Sequence, residues 1–454
     1  MKGGFREPVS RRAAWVLLCA LAVGVDLAGC RIEERQKPAS KAKSDPSPAL
    51  NRIAESYVRL VLAVGEHDPN YVDAYYGPEK WREDVKAEKK SLESIREAAT
   101  PLLRELEGLD VTGQEEIVEL RQQYLFRQLE ALVARVGILG GRKLTFDRES
   151  KLLYDAVAPT YPENHYKEIL DRLERLLPGK GPLVDRYERF RKEFIIPKAK
   201  LDQVFSAAIE EGRKRTRQHI DLPAEESFTV EYVTGKPWSG YNWYKGNSRS
   251  VIQVNTDLPI HIDRAVDLAC HEGYPGHHVY NALLEKRLVK ERGWVEFTVY
   301  PLFSPQSLIA EGSANFGIEV AFPGEERIAF EREILFPLAG IRPERAASYY
   351  QVRKLVEELD YAGNEAARRY LDGAINRDQA AEWLTTFTVI PMDRARQRVR
   401  FIDQYRSYVI NYNLGQDLVK HYIEARGGTA DHPEKRWEEF AKLLSSPRLP
   451  SGLK

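Results

Sequence analysis

Cysteine is scarce in this 454-residue chain: Cys19, Cys30 and Cys270 are the only three. Methionine is scarcer still, two residues counting the initiator. There is no excess of either charge, since Lys+Arg and Asp+Glu both total 68. That balance excludes the strongly basic domain or stripe of an electrostatic nucleic-acid binder, so no nucleic-acid partner is expected. Long apolar runs are also missing. The longest, Ala13 to Val25, has 13 residues, too few to span a bilayer as a helix. What the chain does have is a globular composition, 43% hydrophobic and 30% charged with 23 Tyr and 7 Trp, in a length that can bury a large core.

The short apolar run has its own meaning. Lys2, Arg6, Arg11 and Arg12 precede it, and it ends in Leu27-Ala28-Gly29-Cys30. A basic start, an apolar stretch and small residues form a secretory signal, expected over residues 1–29. Small residues directly before a cysteine resemble the lipobox of bacterial lipoproteins, which implies lipidation at Cys30 and an exported, lipid-anchored envelope protein. Removing 1–29 takes four of the 68 basic groups and two of the 68 acidic ones (Glu7 and Asp26), leaving a net −2. Cys30 and Cys270 then remain, and a lipidated Cys30 leaves Cys270 no disulfide partner. Residues 30–48, rich in Lys, Ser, Pro and Glu, read as a disordered tether.

From residue 49 the pattern predicts a single catalytic domain to residue 454, mainly α. Ile53, Tyr57, Leu60 and Val61 recur at the spacing of one buried helix face, and Ile117, Leu120, Tyr124, Leu125, Leu129 and Leu132 repeat it. Further helices are expected near 147–158, 164–177, 182–193 and 198–219, within an N-terminal helical half over 49–225. The character changes near 226. Phe228 to Val233 and Ser250 to Val254 are β-branched and aromatic, and the spacing predicts two or three short antiparallel strands immediately before the residues that carry the chemistry. Helical patterning resumes at Ile262 and continues to about residue 444.

Those residues begin on the helix after the sheet. Ile262, Ala265, Val266, Ala269, Cys270 and Gly273 make an apolar stripe, and His271 leaves the opposite face. Cys270, on the stripe, reads as buried and inert. His271-Glu272 with His277 and His278 following is the material for metal-assisted hydrolysis: imidazoles hold zinc, and a neighbouring carboxylate takes a proton from water. The familiar arrangement H-E-x-x-H sets both imidazoles four apart on one face. Here Pro275 occupies that fourth position. In an unbroken helix His277 faces away and His278 lies about 10 Å along the axis. Pro275-Gly276 makes an unbroken helix improbable, and a wide turn there would bring an imidazole back. A third ligand is available on Ala310 to Glu319, where Glu311, Asn315 and Glu319 share a face. Two histidines and a glutamate leave one position open. Asn315 is placed to hydrogen-bond a ligand.

His271-Glu272-Gly273-Tyr274-Pro275-Gly276-His277-His278, followed by Glu311-Gly312-Ser313-Ala314-Asn315-Phe316-Gly317-Ile318-Glu319, is similar to the paired signatures of the bacterial domain-of-unknown-function 885 (DUF885) family, whose members include many lipoproteins. Tyr412-Asn413-Leu414-Gly415-Gln416 resembles that family's late element. Ser313 and Asn315 stand where the family usually has Trp and an aromatic or variable residue. The resemblance implies a gluzincin-like zinc metallopeptidase fold, with His271, His277 and Glu311 as zinc ligands and Glu272 as general base. In gluzincin-like hydrolases a late Tyr or His steadies the oxyanion; Tyr412 is the choice here, with Tyr408 a turn earlier and Arg406 available for a substrate carboxylate. The expected function is a zinc-dependent hydrolase acting on peptides. The alternatives are a non-catalytic metal- or peptide-binding envelope lipoprotein and a zinc hydrolase of a non-peptide amide or ester.

Overall fold

The apolar periodicity after Leu50 becomes a helix over Ser47–Gly65 in the computed structural model, which describes residues 45–236 and 238–453. Cys30, the leader and most of the tether lie outside the described residues. Ile53, Tyr57 and Val61 are fully buried on that helix, and Tyr124, Leu125, Leu129 and Leu132 are buried on Glu116–Leu139. The four helices expected before residue 220 occur as Phe146–Tyr154, Glu163–Leu176, Leu183–Arg191 and Leu201–His219. Apolar spacing sets each of these faces, because burying such a stripe is what stabilises an amphipathic helix. Pro46–Lys454 form one compact unit. No helix among the described residues is long and apolar enough to cross a membrane.

Among the described residues strand is confined to two small sheets, and the fold is mainly α as expected. The three-stranded sheet contains β2 (Ser227–Val233), β3 (Gly240–Tyr244) and β4 (Arg249–Asn255) in the order β2-β4-β3. It corrects the all-antiparallel expectation: β2 runs parallel to β4, and only β3 is antiparallel to it. The reason lies in the β3–β4 turn. Gly246, Asn247 and Ser248 all adopt positive φ there, and the buried Glu285 carboxylate accepts from Asn247 N, Ser248 N and the Tyr244 hydroxyl. That turn fixes β3 against one edge of β4 and leaves β2 the other edge. The second sheet was not foreseen. It pairs β1 (Val72–Tyr75) antiparallel with β5 (Val299–Pro301), two runs of four and three residues, too short to show alternation.

Two long-range packings position the chemistry. The helix Pro305–Ala321 is buried along nearly its whole length. It crosses Ile410–Ala425 at Gly312 and Gly415, so closely that a Cβ on Gly312 would lie 2.3 Å from the Gly415 carbonyl carbon. Beside them the helix Asp263–Leu268 runs on into a widened turn over Ala269–Gly273.

Candidate metal centre

The signature segment folds as a helix that loosens and turns back. Ala269–Gly273 forms a π-helical turn, with Tyr274 N donating to Ala269 O at 3.0 Å and Gly276 N to Cys270 O at 2.8 Å. The Tyr274–Pro275 peptide is cis, and a new helix starts at His277. Gly276 is obligatory at the return, since a Cβ there would fall 2.0 Å from His271 O. The turn brings the His271 and His277 rings to 4.6 Å between centroids at 87°.

Glu311, from the buried helix Pro305–Ala321, faces both rings. Its Oε2 lies 3.2 Å from His271 Nε2 and its Oε1 3.8 Å from His277 Nε2. One ligand atom from each of the three residues falls within 4.8 Å of the others. Glu311 Oε2 is buried and has no aligned hydrogen bond, although its carboxylate is 7% exposed as a residue. A buried carboxylate with one oxygen lacking an aligned hydrogen bond, facing two imidazole nitrogens, is a donor set that fits a divalent transition metal. Two of the three groups are held from behind. Asn315 Oδ1 is 2.8 Å from His271 Nδ1, while Asn315 Nδ2 donates to Tyr412 O at 2.9 Å. The Tyr408 hydroxyl donates to Glu311 Oε1 at 2.7 Å.

His278 is turned away. Its ring is fully buried, with Nδ1 2.9 Å from Ser250 Oγ and Nε2 3.0 Å from Glu226 Oε2. Glu226 also accepts from the Tyr274 hydroxyl at 2.5 Å and from Arg213 and Arg217. The two adjacent histidines therefore have opposite surroundings, a point the sequence left open.

Electrostatics follow from burial and three carboxylates. Burial opposes charge on His271, yet Glu311 and Glu272 raise its pKa to about 9. Burial lowers His277 to about 4, with the His271 charge adding to the effect and Glu311 opposing it. Glu311 stays below the usual carboxylate range despite burial, because His271, His277 and Tyr408 favour its anion. Glu272 is 5% exposed, and burial raises it to about 7, reinforced by Glu311 and Asp73 and opposed by His271 and Arg264. The Glu272 backbone carbonyl accepts from Asn242 Nδ2 at 2.7 Å on β3, and Gly240 leaves room for its carboxylate.

The late residues divide. Tyr412 is half-buried, and burial together with the Glu311 anion pushes its hydroxyl well above the ordinary range. Tyr408 was expected to touch substrate; it is buried and bound to Glu311 instead. Arg406 was expected to meet a substrate carboxylate, but its Nε donates to Glu149 Oε2 at 2.7 Å, and Ser407 holds the other oxygen. These partners are where the structure places the two side chains expected to bind substrate. Sequence reasoning missed Asp73 on β1, which accepts from the Tyr241 hydroxyl and is raised to about 7, chiefly by burial and also by the Glu311 charge. No local pattern marks it, since its sheet is made by pairing across more than two hundred residues. Cys270 is buried as expected, and burial pushes its thiol up.

No family model matches the chain, and no curated protein matches its sequence. Among solved structures it is similar to the "putative lipoprotein" from Colwellia psychrerythraea, at 15% identity over 91% of this chain and 76% of that one, with a TM-score of 0.50. At that identity the likeness shows a shared fold alone. Fainter likenesses are a Pyrococcus furiosus carboxypeptidase, at 12% identity over 87% and 88% of the two chains with a TM-score of 0.41, and an M32 carboxypeptidase from Deinococcus radiodurans R1, at 12% over 87% and 89% with a TM-score of 0.34.

Proposed function

We propose that this chain is a zinc-dependent peptidase of the cell envelope, in which His271, His277 and Glu311 hold the ion and Glu272 is the general base. The convergence of those three ligand atoms within 4.8 Å, around an orphaned buried carboxylate oxygen, carries the reading. Bound there, zinc would supply a Lewis acid that activates water and polarises a carbonyl. Glu272 takes the proton of the attacking water and hands it to the leaving nitrogen. Its burial favours proton uptake, and the neighbouring His271 keeps the anion accessible. Tyr412 is the hydroxyl donor assigned to the negative charge that develops on the substrate oxygen. Asn315 fixes the His271 ring and Tyr408 fixes the Glu311 carboxylate, so neither ligand reorients during turnover.

This is the activity implied by the DUF885-like signatures. The basic start, the apolar run and Leu-Ala-Gly-Cys30 support a lipid anchor, as does the description of the Colwellia psychrerythraea protein. The test pairs zinc content with cleavage of a peptide library. Glu272→Gln should retain zinc and lose turnover by at least about a thousandfold, as expected for loss of a general base beside a metal. Full activity in that variant would falsify the mechanism. Zinc retained by the wild type without cleavage of any peptide, ester or amide would leave a metal-binding envelope protein.

A further inference from the structure

A hydrogen bond joins the two small sheets beside the centre. Tyr241 on β3 donates its hydroxyl to Asp73 Oδ1 on β1. The Tyr241 ring lies between Trp238 at 5.4 Å and Trp243 at 4.5 Å, which fixes where that hydroxyl points. Both neighbours of Tyr241 along β3 touch Glu272. A Cβ on Gly240 would lie 2.9 Å from Glu272 Oε1, and Asn242 Nδ2 donates to the Glu272 carbonyl at 2.7 Å. One side chain therefore separates Asp73 from the strand that rests on the proposed general base.

Asp73 meets the ligand side as well. Its charge acts on Tyr405, which packs at 6.0 Å on Tyr408, and the Tyr408 hydroxyl donates to Glu311. Tyr300, paired with Ala74 across the β1–β5 ladder, feels both Asp73 and Glu311. Tyr300 is 7% exposed, and its buried hydroxyl has no aligned hydrogen bond. Asp73 itself is half-buried, and among the described residues its Oδ2 has no hydrogen bond and no Lys, Arg or His within ion-pair distance. Other carboxylates withdrawn from solvent are matched: Asp68 with Arg135, Glu296 with Arg121, Glu226 with Arg213, Asp263 with Arg353. Glu272, Glu311 and Asp73 bring three negative charges to this space, one more than a divalent ion offsets. An anion left over in a partly buried site is costly unless a cation meets it.

We propose that Asp73 is a subsite for an ammonium group of the substrate, with Asp73 Oδ2 and the Tyr300 hydroxyl accepting its N–H donors. An ammonium has three such donors and no acceptor, and the rings of Tyr241 and Tyr405 suit a cation further. The proposal rests on the hydrolase reading and names its substrate class: peptides carrying an ammonium near the bond that breaks. Two sources share that chemistry, the free α-amino terminus and a Lys side chain.

Three short peptides of one sequence separate them: a free N-terminus, an acetylated N-terminus, and the acetylated peptide with Lys at its first position. Binding to zinc-loaded Glu272→Gln protein is measured by calorimetry, so the result does not depend on turnover. Cleavage by the otherwise wild-type chain is measured in parallel. The peptides with ammonium should bind about ten- to a hundredfold more tightly than the plain acetylated one, the range of a charge-assisted hydrogen-bonded pair. Adding Asp73→Asn should erase that preference with zinc content unchanged. Asp73→Glu should keep part of it, since the charge remains on a longer stem. Preference for the free terminus alone assigns the α-ammonium, and preference shared by the Lys peptide assigns any ammonium. Equal or undetectable binding of all three peptides overturns the proposal, as does a preference that survives Asp73→Asn. Loss of affinity for all three alike in Asp73→Asn also overturns it, because a purely structural role would act that way. Absence of cleavage alongside selective binding overturns the peptidase reading and leaves this subsite standing.

Discussion

His277 and His278 are neighbours with different chemistry. His277 turns Nε2 toward Glu311, whereas both nitrogens of His278 are engaged by Ser250 and Glu226 in the buried interior. The consequences of removing them should separate cleanly. His277→Ala should lower zinc affinity by about a hundredfold or more, the scale of a lost ligand or a lost partner to one, with little change in melting temperature. His278→Ala should instead destabilise the fold by about 1–3 kcal/mol, because Ser250 and Glu226 lose a buried partner. Zinc titration and thermal unfolding of both variants check this, and a reversed pattern would exchange the two roles. Tyr412→Phe belongs with them: kcat should fall about tenfold to a hundredfold with KM nearly constant, the mark of a group that acts on the transition state.

Two elements matter more than their neighbours. The turn over Ala269–Gly276 returns the chain so that two imidazoles six residues apart share a space, and it can do so only because Gly276 lies against two carbonyl oxygens. The crossing of Pro305–Ala321 over Ile410–Ala425 sets Glu311 and Asn315 beside Tyr408 and Tyr412, and its closeness depends on Gly312 and Gly415. A methyl on Gly312 would meet backbone, which cannot move aside as a side-chain tip can. Gly312→Ala should therefore cost about 1–3 kcal/mol of stability by overpacking and weaken zinc binding together with it. Denaturant midpoints and zinc titration measure both; an unchanged midpoint would mean that the crossing is looser than its distances indicate.

At the scale of the whole chain, acid should weaken the scaffold behind the centre through Glu226. Burial works to raise Glu226, but His278, Tyr274, Arg217 and Arg213 outweigh it and hold its pKa at about 2. A folded-state pKa below the unfolded value means the anion stabilises the fold. That contribution is complete above the unfolded carboxylate range and disappears as pH falls toward 2. Melting temperature should decline through that window, and Glu226→Gln should flatten the decline while lowering stability at neutral pH. The proposed anchor is a separate matter. A chain starting at residue 46 contains the compact unit and every residue placed at the centre, so it should fold and bind zinc, and, if the proposed lipid anchor holds, differ from the full chain only in membrane association, tested by fractionation and zinc content.

Helix spacing was readable directly: Ile53, Tyr57, Leu60 and Val61 are buried on one face because a period near four residues can bury itself no other way. So was the convergent set, since His271, His277 and Glu311 stand in recognisable local runs. The direction of β2, the pairing of β1 with β5, and Asp73 beside the centre were not readable, because each depends on contacts between segments far apart in the chain. The same holds for which imidazole faces inward. Chemistry is written in residue types and short spacings. Orientation comes from packing, where a glycine between two helices or a carboxylate behind a histidine decides what a side chain faces.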